Sequence, residues 1–487
     1  MKSFALKIAI ILVAGLMVFG CTTDFEELNT NGNAPTAVPP SLLLPGVIRS
    51  ISNEVVGTGW GYGNIVVQHT AKIQFVNEDR YLWGEVNGFW NNVYSNMRDI
   101  NNVYTQAEAN GQRNYMGVAL VMKSWMFSIV TDCHGDIPYS QATQGKQDNF
   151  FPVYDKQEDV YNAILADLAT ANELLGSSPE TLDGDILFNG NVTRWKKLAN
   201  SLRLRYLMRI SNKRNVAAEM QAIVSNPAQF PIMESNSDIA ALTYLAASPN
   251  QFPIHTSRVG SFDEFRLSKT LGDTLAKFND PRLQVFARPT AASVAAGTPE
   301  YVGSPNGLND VDALTYNGGA QFISRVGSIF FENAITPDGL SIARGFVMDY
   351  AELQFILAEA AQKGLISGDA KTFYENGITA SMSFYKTTMP ADYLTQPGVA
   401  FDATRALEQI AVQKWIGLFF HGMEAWFDWR RSGLPALQPG RDNLNENRIP
   451  VRFIYPSSEQ ALNSDNRDAA VARQGVDDIN TKVWWDQ

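Results

Sequence analysis

The sequence predicts a mainly helical protein, and two observations carry that prediction. Apolar residues recur at helical spacing in two blocks, 155–209 and 346–386, where each run would form one stripe along a helix. Between these blocks falls a different kind of sequence. Residues 287–345 hold Gly303, Gly307, Gly318, Gly319, Gly327 and Gly339 together with Pro289, Pro299, Pro305 and Pro337. That density of turn formers excludes long regular elements there.

In chain order, the first feature is a leader. Lys2 and Lys7 precede a 12-residue apolar run from Ile8 to Phe19, and Gly20 and Cys21 follow it. A basic start, a short apolar core and a small residue at the cut point predict a bacterial secretion signal over residues 1–20. The cysteine directly after it makes Cys21 the predicted lipidation site. The apolar run is too short for a membrane span, which needs about 20 residues. One acyl chain holds a protein only marginally to a bilayer and two hold it firmly, so the mature chain is expected to be an extracytoplasmic, lipid-anchored body. Asp24, Glu26 and Glu27 resemble the export signal of lipoproteins carried to the outer face of the outer membrane. Residues 21–45 read as a flexible tether, because Asn29, Asn31, Asn33, Pro35, Pro39 and Pro40 disfavour long regular structure. Residues 46–487 read as one helical domain, and no segment after the leader is expected to reach membrane-spanning length.

Within that domain, Asp155 and Glu158 have the form of a capping box, ahead of Tyr161, Ile164, Leu168, Ala171 and Leu175 at helical spacing. Thr193 is placed to cap the next helix, with Trp195, Leu198, Leu202 and Tyr206 on one face and Arg203, Arg205 and Arg209 elsewhere around it. Phe346, Tyr350, Leu353, Leu357 and Ala360 form a further stripe, Gly364 fits a helix stop, and Ala370, Phe373, Gly377, Ala380 and Phe384 form the stripe after it. Small residues on both stripes let the two helices approach closely, as in a tetratricopeptide-type hairpin.

Composition narrows the function. Without Lys2 and Lys7 the basic count falls from 39 to 37 against 50 acidic residues, a net charge of −13. Such a surface argues against nucleic acid as a partner. With Cys21 committed to lipid, Cys133 stands alone and the fold must rest on core packing.

Five segments together resemble the SusD/RagB family of nutrient-binding outer-membrane lipoproteins. They are 131–142 (Thr-Asp-Cys-His-Gly-Asp-Ile-Pro-Tyr-Ser-Gln-Ala) with Pro152-Val153-Tyr154-Asp155, then 195–205, Asn279-Asp280-Pro281-Arg282-Leu283, 424–433 around Trp426-Phe427-Asp428-Trp429-Arg430-Arg431, and 448–456 with Glu459 and Asn463 after it. Their order and spacing carry the match, which spans nearly the whole mature chain. The resemblance implies a mainly α fold: a helical body with tetratricopeptide-like hairpins, long irregular ligand-facing loops and few short strands. It implies a SusC-like TonB-dependent transporter as partner and a glycan or other small nutrient as ligand; no cofactor, metal ligand or catalytic residue is assigned from the sequence. Peptide binding in the same import role, and a cell-surface glycoside hydrolase, stay open as alternatives.

Several motifs also have plainer readings. Asp132, His134 and Asp136 could ligate a metal, but Gly135 and Pro138 favour a turn whose carboxylates cap helix ends and backbone amides. Glu424, Asp428, Arg430 and Arg431, interleaved with Trp426, Phe427 and Trp429, read as an internal ion-pair network. No nucleophile elbow, zinc-protease pair or phosphate loop is present. Ligand platforms remain, because a sugar presents a C–H face to an aromatic ring and rim hydroxyls to amides and carboxylates. Trp60, Tyr62, Tyr81 and Trp83 lie among glycines and charges and are expected to be exposed. Tyr301, Asn306 and Tyr316, in the Gly-rich stretch, are the second set of candidates.

Overall fold

A computed structural model describes residues 38–487; the predicted leader, Cys21 and most of the tether lie outside the described residues. Among the described residues the fold is mainly helical with four short strands. Helix α1 (Pro40–Thr58) buries Leu44, Val47, Ile48, Ile51, Val55 and Val56 along one stripe. The tether reading therefore fails at its end, where residues 40–45 are helical. Proline suits the first turn of a helix, whose N–H groups have no partner, and Pro45 costs only the bond that the Ser41 carbonyl would have received.

Four helices then stack in sequence. α2 (Gly88–Ala109) packs on α1 and on α3 (Arg113–His134), α3 on α4 (Gln157–Leu174), and α4 on α5 (Val192–Arg209). α2 buries Phe89, Trp90, Val93, Met97, Ile100, Val103 and Ala107, the narrow stripe of a helix with one wet face. α3 differs. It has 22 residues and a stretch of mean hydropathy 1.3, so it is long and apolar enough to cross a membrane, contrary to the expectation from sequence. Yet 89% of that stretch is buried within the protein. It is apolar on every side because helices cover every side.

Strand β1 (Thr70–Lys72) and strand β2 (Ala240–Thr243) each find a distant antiparallel partner. β1 pairs with β3 (Phe265–Leu267), Thr70 opposite Leu267. β2 pairs with β4 (Arg344–Met348), Thr243 opposite Arg344. Helix α6 (Lys269–Lys277) follows β3 directly. After β4 come α7 (Tyr350–Gln362) and α8 (Ala370–Phe384), the hairpin read from sequence, except that Phe346 belongs to β4. Asp349 accepts the Glu352 N–H at 2.6 Å and Asp369 the Thr372 N–H at 3.1 Å, which starts both helices. Gly364 closes α7 at φ +69°. A Cβ on Gly377 would lie 2.7 Å from the Phe355 ring, so the close approach of the two helices depends on that glycine. α9 (Ala406–Gly417) and α10 (Glu424–Ser432) complete the body.

The predicted caps shift. α4 begins after Lys156 without a capping side chain. Asp155 instead accepts the Tyr139 and Ser140 N–H groups at 3.0 and 2.8 Å. Asp136, from the Asp-Ile-Pro turn, accepts the Gln157 N–H at 2.9 Å. That turn thus caps a helix, as its carboxylates suggested. α5 is capped by Asn191, which accepts the Arg194 N–H at 3.1 Å; Thr193 lies inside the helix, and Asn is the stronger cap.

The charges on α10 form the expected internal network, and Arg205 and Arg209 of α5 join it, while Arg203 lies over the Phe230 ring. Arg205 donates from Nε to Glu352 at 2.6 Å, and a second guanidinium nitrogen binds the other carboxylate oxygen. Arg209 pairs with Glu424, Arg431 with Glu359 at 2.6 Å and Asp428 at 2.8 Å, and Lys414 with Asp428 at 2.8 Å. Arg430 donates to Asp486 at 3.3 Å, tying the C-terminal segment to α10. The paired cations are all buried. Burial by itself disfavours the Asp428 charge, but Lys414 and Arg431 outweigh it and hold the carboxyl well below the usual range.

Candidate functional site

The chain between α1 and α2 folds into a compact knot. A π-helical turn, Gly59–Gly63, carries it past Gly422, whose Cα would lie 2.6 Å from a Cβ on Gly59. The glycines around Trp60 and Tyr62 therefore mark a close backbone crossing and not an exposed loop. Trp60 is buried, stacked on Phe262 and Phe265 with centroids 5.2 and 4.1 Å away. Trp83 is buried, edge-on to Trp426 and Phe453, and donates its indole N–H to the Glu78 carbonyl at 2.9 Å. Tyr81 is buried as well, at φ +62°. The exposure expected of these three rings is thus overturned. Large rings bury the most area per residue, and Asp79 beside them is itself buried, held by hydrogen bonds. Tyr62 is half-buried, edge-on to Trp83 at 5.4 Å. Tyr301 and Tyr316 are half-buried too, Tyr316 against Val76, Leu308 and Ala313.

The two candidate segments do meet, and Asn306 joins them. Its amide nitrogen donates to Asp79 at 2.7 Å and to the Thr70 carbonyl at 2.8 Å, and its oxygen accepts the Ser268 hydroxyl at 2.6 Å. Asp79 also accepts the Lys72 N–H at 3.0 Å. Burial pushes the Asp79 carboxyl up to about 6, even though the Lys72 N–H and the Asn306 amide favour its charged form. The Val76 N–H donates to Asp310 at 3.4 Å, which adds a second tie between the segments.

Asn306 also faces outward. With Pro305 and Leu308 it lines an open cleft of about 340 Å³, opposite Lys269, Thr270 and Asp273 on α6 and the loop around Gln438 and Arg441. Gln68 spans the floor. It accepts the Thr270 hydroxyl at 2.7 Å and donates to the Gln438 carbonyl at 2.5 Å, so it fixes α6 relative to the loop. Gln68 adopts φ +60°, and Phe75 and Tyr81 adopt φ +51° and +62°. Three non-glycine residues of one segment in the left-handed region concentrate backbone strain beside the cleft. Of the three, Phe75 is 70% exposed. It is the ring of the segment that solvent reaches most, and sequence reasoning passed over it. The charges at the rim are already paired: Lys269 with Asp273 at 2.5 Å, and Arg441 with Asp312 and with Asp442 at 2.7 Å. The site offers amide, hydroxyl and carbonyl groups around a wet volume, with no nucleophile–base pair among its walls. Lys269, Thr270, Asp273, Gln438 and Arg441 were not singled out from sequence. They come from positions remote in the chain, and only the i,i+4 spacing of Lys269 and Asp273 and the Gly-Arg-Asp run at 440–442 hinted at ordered polar structure.

A family model named SusD-like, described as starch-binding and associating with the outer membrane, matches residues 32–456. A solved SusD homologue of Bacteroides fragilis is 30% identical, with 92% of this chain and 99% of that chain covered and a TM-score of 0.80. A second SusD homologue of Bacteroides fragilis is 27% identical, with 92% and 100% covered and a TM-score of 0.81. A solved chitin-binding protein is 27% identical, with 92% and 99% covered and a TM-score of 0.79. No curated protein matches the chain.

Proposed function

The chain belongs to the SusD-like family, and from that premise we propose that it is a surface lipoprotein which binds a nutrient, an oligosaccharide, and hands it to a SusC-like TonB-dependent transporter in the outer membrane. Binding is non-covalent and leaves the ligand unchanged. The family match over residues 32–456 carries this reading, since relatives of known name bind chitin and the family description names starch. The cleft at Asn306 supports it: its amides and hydroxyls suit sugar hydroxyls, and its paired charges suit a neutral ligand. Half-buried Tyr316, packed against Leu308 of the cleft wall, offers a ring for a C–H face, with Tyr62, Tyr301 and exposed Phe75 as further candidates, and the oxygen of Asn306 has a lone pair left for a sugar hydroxyl. Acylation of Cys21 provides the anchor.

Isothermal titration calorimetry against starch oligosaccharides, chitin oligosaccharides and peptides tests the binding role. Saturable binding of a sugar series with no release of new reducing ends is the expected result. Binding of peptides alone refutes the glycan and leaves the import role; sustained hydrolysis refutes the binding-protein reading. Metabolic labelling with palmitate, lost in Cys21→Ser, tests the anchor, and co-purification with a SusC-like protein from outer membranes tests the partner.

A further inference from the structure

A second cleft opens beyond the first. It encloses about 260 Å³, shares two of its walls with the Asn306 cleft and is closed by a third, formed by Arg405 and by α9 as far as Trp415. One shared wall is α6: Thr270 lines both spaces, Asp273 the first, and Thr274 and Lys277 the second. The other shared wall is a single loop, whose residues 438–441 face the first space and 435–437 the second. The two spaces therefore adjoin at Thr270 and are offset by about one turn along α6. Neither space is large alone. Ligand sites usually span about 300–1,000 Å³, so the first sits at the bottom of that range and the second below it.

The chemistry of the two ends differs in a useful way. The first is walled mainly by amides, a hydroxyl and paired charges. The second has an apolar wall built from Phe278, Val412, Trp415 and Leu437. Its Trp415 is locked in place, donating its indole N–H to the Val67 carbonyl at 2.9 Å. At the rim Arg405 is paired with Glu408 at 3.0 Å, and Lys277 lies over the Phe278 ring with 5.7 Å to its centroid. In the second space the exposed Lys277 has no carboxylate partner among the described residues, but in the first an ionic ligand would have to break existing pairs. A neutral oligomer with alternating polar rims and C–H faces would not.

We infer that the two clefts form one trench with two subsites, and that the trench selects an extended, neutral oligosaccharide by length. This rests on the proposed nutrient-binding function and adds to it a chain-length requirement and a second set of walls. The experiment is calorimetric titration of the purified protein with the monomer, dimer, tetramer and hexamer of the chitin and starch sugar series, repeated on Ala436→Trp. Ala436 is exposed on the rim of the second cleft, so a bulky side chain there fills the space without disturbing the core. Matching thermal unfolding midpoints confirm that the variant is folded.

The expected result is an affinity that rises about tenfold or more from dimer to hexamer in the native protein. In Ala436→Trp the rise is lost while dimer affinity is kept. An affinity that does not depend on length, or a rise that Ala436→Trp leaves intact, overturns the trench and leaves the nutrient-binding function standing. Failure of every sugar to bind overturns both.

Discussion

Around α5, α7 and α10, Arg205, Arg209, Lys414 and Arg431 meet Glu352, Glu359, Glu424 and Asp428 away from water. Around the cleft, Lys269 meets Asp273 and Arg441 meets Asp312 and the half-buried Asp442, pairs that solvent reaches. The residue types are the same and the distances are similar. What separates the two sets is the medium. In the interior an unpaired charge has no water to turn to, so each ion depends on its partner for its existence as an ion. At the rim each partner can be exchanged for water at little cost, which is what a surface that must accept and release a ligand requires.

The largest expected effect breaks the interior set. Glu352→Ala strands the buried Arg205 guanidinium, which Glu352 binds through both carboxylate oxygens. Loss of one partner of a buried pair costs about 3–5 kcal/mol, read from urea unfolding at neutral pH. A loss below about 1 kcal/mol would place this network in the same class as the rim. Packing in the same half is tested by Gly377→Ala. The added methyl meets the Phe355 ring at 2.7 Å, and overpacking of this kind costs about 1–3 kcal/mol.

Asn306 sits on the boundary between the two settings, buried by its hydrogen bonds yet lining the cleft. Asn306→Ala leaves the Thr70 carbonyl, the Ser268 hydroxyl and one Asp79 oxygen short of a partner, so a loss of about 1–3 kcal/mol is expected. It also removes a bond that favours the charged form of Asp79, which raises that carboxyl further. The sign for pH follows. The folded-state pKa of Asp79, about 6, lies above the unfolded value of 3.8. The stability it contributes is therefore fully present below pH 3.8 and lost as pH rises through 6. Stability measured as native minus Asp79→Asn should fall across that window, and a flat difference would mean that Asp79 does not titrate there.

The same boundary explains what was legible in the sequence. The hairpin at α7 and α8 could be read because local spacing sets it, in stripes every three or four residues, and the network on α10 showed in Asp428 and Arg431 one turn apart, although its other partners, Glu352 and Glu359 among them, are remote in the chain. α3 was harder, since a helix covered on all sides carries no stripe to read. The cleft was legible only at Asn306. Its other walls come from 269–273 and 438–441, which no local pattern links to residue 306. The aromatic candidates failed for a related reason. Trp60, Tyr81 and Trp83 have polar and glycine neighbours in sequence, but burial is decided by neighbours in space, here Phe262, Phe265, Trp426 and Phe453. Phe75, whose composition gave no signal, is the ring left outside.

The smallest expected effect sharpens the comparison from the rim side. Lys269 and Asp273 are one turn apart on α6, and both side chains are about half exposed or more, at 49% and 63%. A helix-surface pair of this kind contributes about 0.3–0.5 kcal/mol, and salt screens it over about 8–10 Å. Asp273→Ala should therefore leave urea unfolding almost unchanged, and what change there is should vanish in molar salt. Its consequence for binding runs the other way. Without Asp273 the Lys269 ammonium is free at the wall of the Asn306 cleft, so the variant should bind anionic sugars that the native protein refuses, in a salt-sensitive manner, while its affinity for neutral oligomers changes little. If neutral and anionic ligands respond alike, pairing at the rim is not what keeps the cleft neutral, and the distinction drawn between the two sets of charges would hold for stability alone.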